Sequence, residues 1–222
     1  MFQASAMAPA PRLYLLTNDD EFALLYAKLE AALATGLVAL LQIRRKKTLQ
    51  SANGKEKLYE EAQQIVSLAK AHDLAVVMND DVALAKKLGI GVHLGQQDGE
   101  MNDAKTALAA SEIIGRTCHG DVNLVKQAKK DGASYAAMGA VFASNTKPNA
   151  HMISRQQLIE GCQQGIDICV IGGLTVENIT ELSGLPIAYV AVVGDIMDLP
   201  VEQIAARCQQ WRQALSNWQA PA

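Results

Sequence analysis

The feature that most constrains the fold is a regular alternation of short apolar runs with helical patterns along the 222-residue chain. Runs typical of buried strands lie at 13–17, 37–43, 76–80, the start of 91–98, 113–117, 135–139, 168–171 and 188–193. Helical patterns follow at 56–72, 82–88, 103–110, 121–132, 155–162 and 201–218, with further helices capped by Asp19 or Asp20 and by Thr175. Strands joined by crossover helices pair in parallel, so the chain is expected to form an α/β protein.

The number of strand–helix units distinguishes two parallel architectures. An open doubly wound sheet uses the same alternation, but no Gly-x-Gly-x-x-Gly follows the first run. Eight units favour a closed (β/α)8 TIM barrel, which commonly takes about 250 residues. We therefore expect a flexible leader over residues 1–11 and a single TIM-barrel catalytic domain over residues 12–222.

Composition disfavours several classes of partner. The net charge of −3 is too small to indicate nucleic-acid binding, and no apolar run approaches the roughly 20 residues of a membrane span. The four cysteines show neither close pairing nor metal-type spacing, so reduced thiols and a cytoplasmic location are expected. The expected partners are small-molecule substrates rather than nucleic acid or membrane. The sequence leaves open whether the protein forms a homodimer.

Two carboxylates follow neighbouring predicted strands. Asp80 ends one run and Asp98 follows the next, so both leave the carboxyl edge of the sheet within about one strand spacing of 4.8 Å. Such a pair suits a hard divalent cation, and we expect Mg²⁺. The alternative is structural, because Asp80 or Asp81 can cap the following helix and Asp98 can start a turn.

A basic strand end follows the second run. Alternation places Gln42, Arg44 and Lys46 on one side and Ile43 on the other. An amide, a guanidinium and an ammonium at a barrel mouth predict an anion site. The alternative is a solvated basic turn, which the inward position of Gln42 disfavours.

Two further places can hold phosphate. Ser144, Thr146 and Lys147 lie in the longest loop, which can close over a ligand or be an ordinary polar loop. Glycines follow the seventh and eighth runs, at Gly172-Gly173 and Gly194, where barrel enzymes frequently bind phosphate. Turn glycines are the alternative.

Other reactive side chains are weaker candidates. His119 can act as an acid or base, although a lone histidine is more often structural, and Cys118 has no evident activating partner. His93 is expected to point into the barrel or to pack in its wall, with no catalytic role. Trp211 and Trp218 are expected to pack the last helix.

Taken in order, these pieces resemble the thiamine phosphate synthase (thiamine-phosphate diphosphorylase) family from Leu13 to about Ile196. The pieces that carry the resemblance are Leu13-Tyr14-Leu15-Leu16-Thr17, Gln42-x-Arg44-x-Lys46, Asn79-Asp80, Gly91-Val92-His93-Leu94-Gly95-Gln96-x-Asp98, Ile114-Gly115-x-Thr117-x-His119, Thr146-Lys147-Pro148, Ile171-Gly172-Gly173 and Val192-Val193. The family is a (β/α)8 barrel that joins a hydroxymethylpyrimidine diphosphate to a thiazole phosphate, giving thiamine phosphate and diphosphate.

The resemblance also implies roles for the residues. Asp80 and Asp98 would hold Mg²⁺ on the diphosphate. The pyrimidine substrate and its leaving group would contact Gln42, Arg44, Lys46, Asn79 and Lys147, with Thr117 where the family has a serine. The thiazole phosphate would contact Ser144, Thr146 and the backbone amides of Gly173, Val193 and Gly194. Lys147, Arg44 and Thr117 would act in catalysis by assisting a dissociative loss of diphosphate before the thiazole nitrogen attacks.

The chain departs from the family pattern at a few positions. Asn18 replaces a common Asp, Ala143-Ser144 replaces Pro-Thr, Thr117 replaces Ser, and Gly194-Asp195 replaces Ser-Ala. Asp195 brings negative charge near the expected thiazole phosphate site. Two rival functions are a thiazole tautomerase-like paralogue that uses His119, and a non-catalytic barrel that binds a phosphorylated metabolite.

Overall fold

Eight parallel strands close into a barrel in chain order in the computed structural model, which describes residues 10–143 and 151–218. The strands are β1 (Arg12–Leu16), β2 (Val38–Ile43), β3 (Ala75–Asn79), β4 (Gly91–Leu94), β5 (Ile114–His119), β6 (Tyr135–Met138), β7 (Asp167–Ile171) and β8 (Tyr189–Val192). Pairing of β1 with β8 closes the ring, with Tyr14 beside Ala191. The predicted (β/α)8 barrel is confirmed.

Helices cover the outside of the barrel. In the described residues they are α1 (Phe22–Leu33), α2 (Lys46–Gln50), α3 (Gly54–Ala71), α4 (Val82–Leu88), α5 (Met101–Ala107), α6 (Val122–Lys130), α7 (Arg155–Cys162), α8 (Gly194–Met197) and α9 (Val201–Ser216). Within these ranges no helix combines the length and the apolar character that crossing a membrane requires.

Two local predictions were wrong, and one short helix was not predicted. Glu21, rather than Asp19 or Asp20, caps α1, because its carboxylate accepts from the Ala23 N–H. The polar stretch after β2 contains the short helix α2. The helix expected after Thr175 is only a 3₁₀ turn, Ile179–Leu182. In that turn Asn178 bonds back to the Gly173 carbonyl, which competes with helix formation.

Each strand has one face toward the helices and one toward the barrel interior. Large aliphatic side chains such as Leu41, Ile43 and Met78 pack in the outer layer. The interior is a separate, smaller cluster that contains Tyr14, Leu16, Leu40, Val77, Tyr135, Ala137, Cys169, Tyr189 and Ala191. Strand alternation produces this division, because successive residues point to opposite faces.

Tyrosine rings fill the middle of the interior. The Tyr135 ring packs edge-on to Tyr14, with centroids 5.7 Å apart, and against Tyr189 at 5.6 Å. Gly115 on the neighbouring strand makes room for this ring, since a Cβ there would lie 2.2 Å from Cζ of Tyr135. The absence of a side chain at Gly115 therefore decides where the Tyr135 hydroxyl sits.

We predict that Gly115→Ala destabilises the protein by about 1–3 kcal/mol, the usual effect of overpacking a full core. Chemical denaturation would measure the loss. The companion variant Tyr135→Leu removes the ring atoms that the new methyl group would strike. The two substitutions together should therefore cost less than the sum of the single changes. Additive losses would show that the ring does not depend on Gly115.

Candidate active site

The carboxylates of Asp80 and Asp98 converge beside Gly95 at the carboxyl edge of the barrel. A Cβ atom on Gly95 would lie 2.2 Å from Oδ2 of Asp98 and 3.7 Å from Oδ1 of Asp80. The Gly95 N–H donates to Oδ1 of Asp80 at 3.2 Å. Any side chain at position 95 would therefore occupy the space between the carboxylates.

Asp81 caps the helix α4, and Asp80 instead faces Asp98; the sequence left open which of the two residues is the cap. Asp81 caps α4, because its Oδ1 accepts from the Leu84 N–H at 2.8 Å. Asp80 adopts a left-handed backbone with φ of 64°, which carries its carboxylate away from the helix and toward Asp98. The helix is thus capped without Asp80.

Burial raises the pKa of the Asp80 carboxyl above its ordinary value. The Gly95 N–H opposes the rise, the Asp98 carboxylate adds to it, and the Lys46 ammonium and Asn79 amide lower the pKa again. Two close carboxylates with hard oxygen donors fit Mg²⁺, which usually binds one or two carboxylates and takes its other ligands from water and phosphate. Among the described residues, no group of three or more His, Cys, Asp and Glu side chains is placed to hold a metal ion, so the carboxylate pair would be the whole protein contribution to such a site.

The loop that carries Asp98 is held from the strand beside it. The guanidinium of Arg116 donates to the Gly99 carbonyl at 2.8 Å and to the Gln96 carbonyl at 3.4 Å. In return, the Gln96 side-chain amide donates to the Thr117 carbonyl. These contacts, which the sequence analysis missed, fix both ends of the turn in which Asp98 lies.

The basic run after β2 has mixed functions. Gln42 is buried and faces the interior, Arg44 is half-buried, and Lys46 is exposed at the start of α2 but close enough to act on Asp80. Arg45 is instead structural. Its buried guanidinium pairs with Glu61 at 2.8 Å and donates to the Asn18 carbonyl, also at 2.8 Å.

Hydrogen bonds connect Asp80 to Thr117 through the barrel interior. The Asn79 amide donates to Asp80, and Gln42 Nε2 donates to Oδ1 of Asn79 at 2.7 Å. The Tyr14 hydroxyl donates to Oε1 of Gln42 at 2.8 Å. The residues of this hydrogen-bond series, in order, are Asp80, Asn79, Gln42, Tyr14, Tyr135, His93 and Thr117.

His93 is the centre of the half of this hydrogen-bond series that lies farther from Asp80. Its Nδ1 lies 2.8 Å from the Tyr135 hydroxyl, and its Nε2 lies 2.9 Å from Oγ1 of Thr117. Burial lowers the pKa of His93 to about 4, with a smaller contribution from Arg116, so the ring is neutral near pH 7. The sequence alone predicts His93 in the barrel without a catalytic role. Inward polar residues at matching heights on neighbouring strands are the signal that indicates its contacts.

The corner between β6 and β8 lies on the same edge of the barrel. Gly173 has φ of 62°, and a Cβ on it would lie 2.3 Å from the Ala143 carbonyl oxygen. The Ile153 N–H donates to the Ala140 carbonyl at 2.8 Å. Residues 143 and 153 thus lie near the end of β7, but Ser144, Thr146 and Lys147 lie outside the described residues.

Asp195 does not present a free charge to this corner. Its carboxylate is nearly buried, pairs with Arg207 and accepts from Nε1 of Trp211 at 2.7 Å. Arg207 also pairs with Glu177 and holds the pKa of that carboxyl to about 2. The negative charge that was expected near Val193 and Gly194 is therefore paired with Arg207.

The other candidates stand apart from this arrangement. His119 is exposed at the end of β5, with a left-handed backbone of φ 49°. Burial raises the pKa of the Cys118 thiol to about 12, so it is not a nucleophile near neutral pH. Trp211 and Trp218 are buried, as predicted.

Two sequence comparisons identify the same family, and a structural comparison identifies the same fold. A model of the thiamine monophosphate synthase family matches residues 13–196. A thiamine-phosphate synthase from Chromobacterium violaceum is 36% identical over 208 residues, which cover 93% of this chain and 95% of that protein. The solved thiamine phosphate pyrophosphorylase from Pyrococcus furiosus superposes with a TM-score of 0.78 at 24% identity, covering 94% of this chain and 97% of that one.

More distant structures share the fold alone. The 3-keto-L-gulonate-6-phosphate decarboxylase from Vibrio cholerae superposes with a TM-score of 0.65 at 10% identity, covering 94% of this chain and 99% of that one. The closed barrel and the polar groups on its carboxyl edge define the class, a (β/α)8-barrel enzyme. Within that class, the chain belongs to the thiamine monophosphate synthase family. Its activity is that of thiamine-phosphate synthase, a transferase of thiamine biosynthesis.

We predict that Asp80→Asn stabilises the metal-free protein by up to about 1 kcal/mol, or about 2–4 °C in Tm. A carboxyl whose folded-state pKa is raised favours folding below its unfolded pKa and loses that contribution as pH rises through the folded pKa. The gain should therefore be present at pH 7 and vanish in acid. Differential scanning calorimetry at both pH values would measure it.

Asp73→Asn is the matched control, because Asp73 also has a left-handed backbone, with φ of 52°, but is exposed. It should leave Tm within about 1 °C of the wild-type value, as surface substitutions usually do. A lower Tm for Asp80→Asn at pH 7 would contradict the interpretation of the buried carboxylate.

Proposed function

We propose that the carboxyl edge of this barrel binds a 4-amino-2-methyl-5-hydroxymethylpyrimidine diphosphate and 4-methyl-5-(2-hydroxyethyl)thiazole phosphate together. The observation that carries the proposal is the convergence of Asp80 and Asp98 at Gly95, beside the Gln42–Asn79 pair. Two carboxylates at a barrel edge attract no anion by themselves. Together with the basic residues after β2, they form a site for a metal-bound diphosphate.

Charge on the leaving diphosphate is the main electrostatic problem of the reaction. When bound by Asp80 and Asp98, Mg²⁺ supplies Lewis-acid neutralisation of the diphosphate oxygens. Arg44 and Lys46 add positive charge from the β2 side, and Lys147 is assigned to the same oxygens. Preorganised charges of this kind act most strongly where charge develops in the transition state.

The pyrimidine ring lies over the interior polar groups in this proposal. Gln42 and Asn79 are locked to each other by a 2.7 Å hydrogen bond, which fixes the surface that the ring contacts. Thr117 lies across the barrel mouth on β5. The electron-rich aminopyrimidine stabilises a methylene cation, so diphosphate can depart before the new carbon–nitrogen bond forms.

The thiazole phosphate is assigned to the opposite corner. The backbone N–H groups of Gly173, Val193 and Gly194 bind its phosphate, with Ser144 and Thr146 as further donors. This corner holds the thiazole nitrogen in line with the cation. The nitrogen attacks through its own lone pair, so the reaction needs no general base, and none is assigned.

The free thiols at positions 118, 162, 169 and 208 are compatible with a cytoplasmic location, which we propose for the enzyme. The tautomerase-like alternative depends on His119. The exposure of His119 at the end of β5 favours synthase chemistry over a proton transfer within a closed site.

The proposal is tested by incubating the protein with both substrates and Mg²⁺ and measuring thiamine phosphate and diphosphate. We predict that Asp98→Asn lowers kcat by at least 10²-fold, because one of the two metal carboxylates is lost. The fold should persist, since Asp98 is exposed. Asp73→Asn is again the control and should retain wild-type turnover. Full activity of Asp98→Asn would refute the metal assignment.

Lys147→Ala should lower kcat by about 10²-fold while changing the KM for thiazole phosphate less than threefold, because its charge acts on the leaving group in the transition state. Steady-state kinetics with each substrate varied would separate these effects. Lys126→Ala, an exposed lysine on α6, is the matched control. Equal changes in kcat and KM would instead assign Lys147 to uniform substrate binding.

A further inference from the structure

The hydrogen bonds that cross the barrel interior have a definite direction, which starts at Asp80. The amide nitrogen of Asn79 faces Oδ2 of Asp80, so Asn79 donates and the carboxylate accepts. The Asn79 oxygen then faces Gln42 and accepts from its Nε2. The Gln42 oxygen is left to face the Tyr14 hydroxyl, which must donate to it. Turning both amides round would place the Asn79 oxygen against the carboxylate.

The two tyrosines must follow the same donor-to-acceptor order, because each hydroxyl has only one hydrogen to donate. Tyr14 gives its hydrogen to Gln42, so the hydrogen in the 2.8 Å contact between Tyr14 and Tyr135 comes from Tyr135. The oxygen of Tyr135 then faces Nδ1 of His93 as an acceptor. Both hydroxyls belong to fully buried side chains.

The direction of these hydrogen bonds determines which ring nitrogen of His93 carries the hydrogen. Since Tyr135 has no second hydrogen to give, Nδ1 must carry the N–H and donate to it. A neutral imidazole has only one N–H, so Nε2 is an acceptor. Both ring nitrogens of the buried His93 face hydroxyl oxygens rather than a carboxylate, so no counter-ion stabilises a charged ring. The remaining contact, 2.9 Å from Nε2 to Oγ1 of Thr117, is then a hydrogen bond that Thr117 donates.

We propose that His93 and Tyr135 are positioning residues that hold the Thr117 hydroxyl hydrogen inside the barrel, so that Thr117 meets substrate as a hydrogen-bond acceptor only. This rests on the proposed function, in which an aminopyrimidine lies over Thr117. Its amino group donates N–H bonds and gains positive charge as diphosphate leaves. An oxygen that offers lone pairs favours that charge, whereas a hydroxyl hydrogen turned outward would oppose it.

The same direction assigns Thr117 to the pyrimidine rather than to the leaving group. Diphosphate oxygens need donors, and Thr117 has given its only hydrogen to His93. Selection for an amino group over an oxygen substituent on the ring follows, since an acceptor facing an acceptor leaves both unpaired. Among the described residues no buried side-chain polar atom lacks a hydrogen-bond partner.

The tautomer can be observed directly. Histidine labelled with ¹⁵N, read through two-bond ¹H–¹⁵N correlations, distinguishes Nδ1–H from Nε2–H rings, and His93→Gln identifies the His93 signals among the four histidines. We expect wild-type His93 to be a single neutral Nδ1–H tautomer at pH 7. An Nε2–H tautomer in the wild-type protein would overturn the proposal, whether or not any variant folds.

Tyr135→Phe tests the positioning role. Losing the acceptor for Nδ1 should move the His93 proton to Nε2, which turns the Thr117 hydrogen outward and lowers kcat about tenfold. The KM for thiazole phosphate should stay within twofold. Tyr189→Phe is the matched control, because Tyr189 packs against the same ring but takes no part in the chain. It should change neither tautomer nor kcat.

Two results for Tyr135→Phe would count against the proposal. A changed tautomer with wild-type kcat would show that the direction of the Thr117 hydroxyl does not matter to the reaction. A lower kcat with the tautomer unchanged would show a structural role for Tyr135 alone. Failure of the proposed function looks different, since wild-type protein would then show the Nδ1–H tautomer without forming thiamine phosphate.

Discussion

An ionised carboxylate can only accept hydrogen bonds, and at Asp80 this constraint orders the interior of the barrel. Asn79 must donate to it, and each following contact to Thr117 inherits a direction from the one before. The interior of a closed barrel is normally filled by apolar side chains. Here polar groups cross it, and each is paired, so burial does not leave an unsatisfied group.

The same carboxylate connects stability to function. Its pKa is raised by burial and by Asp98, so holding it ionised opposes folding. The left-handed backbone at Asp80 is a second local strain, and Asp81 is left to cap α4 alone. The buried charge and the left-handed backbone of Asp80 both belong to one arrangement, in which two carboxylates converge beside Gly95. Active sites commonly retain such unfavourable features because the chemistry requires them.

Supporting contacts surround the carboxylate pair on several sides. Arg116 and Gln96 fix the turn that holds Asp98, and Arg45 with Glu61 anchors the chain after β2. Across the barrel, Arg207 neutralises Asp195 beside the glycine corner. The Arg116 and Gln96 contacts join the β4 and β5 units, whereas the Arg45–Glu61 and Arg207–Asp195 pairs each lie within one strand–helix unit.

The sequence by itself determined the barrel, the carboxylate pair and the strand ends, because each is a local pattern. Short apolar runs between helical patterns, helix caps such as Asp121 and carboxylates directly after strands need no knowledge of distant contacts. It could not decide whether Asp80 or Asp81 caps α4, since both suit that position. Only the tertiary structure decided this, and only it brought Tyr14, Tyr135 and His93 into contact. Those residues lie on different strands, up to 121 positions apart, and meet because closure of the barrel faces their strands toward one axis.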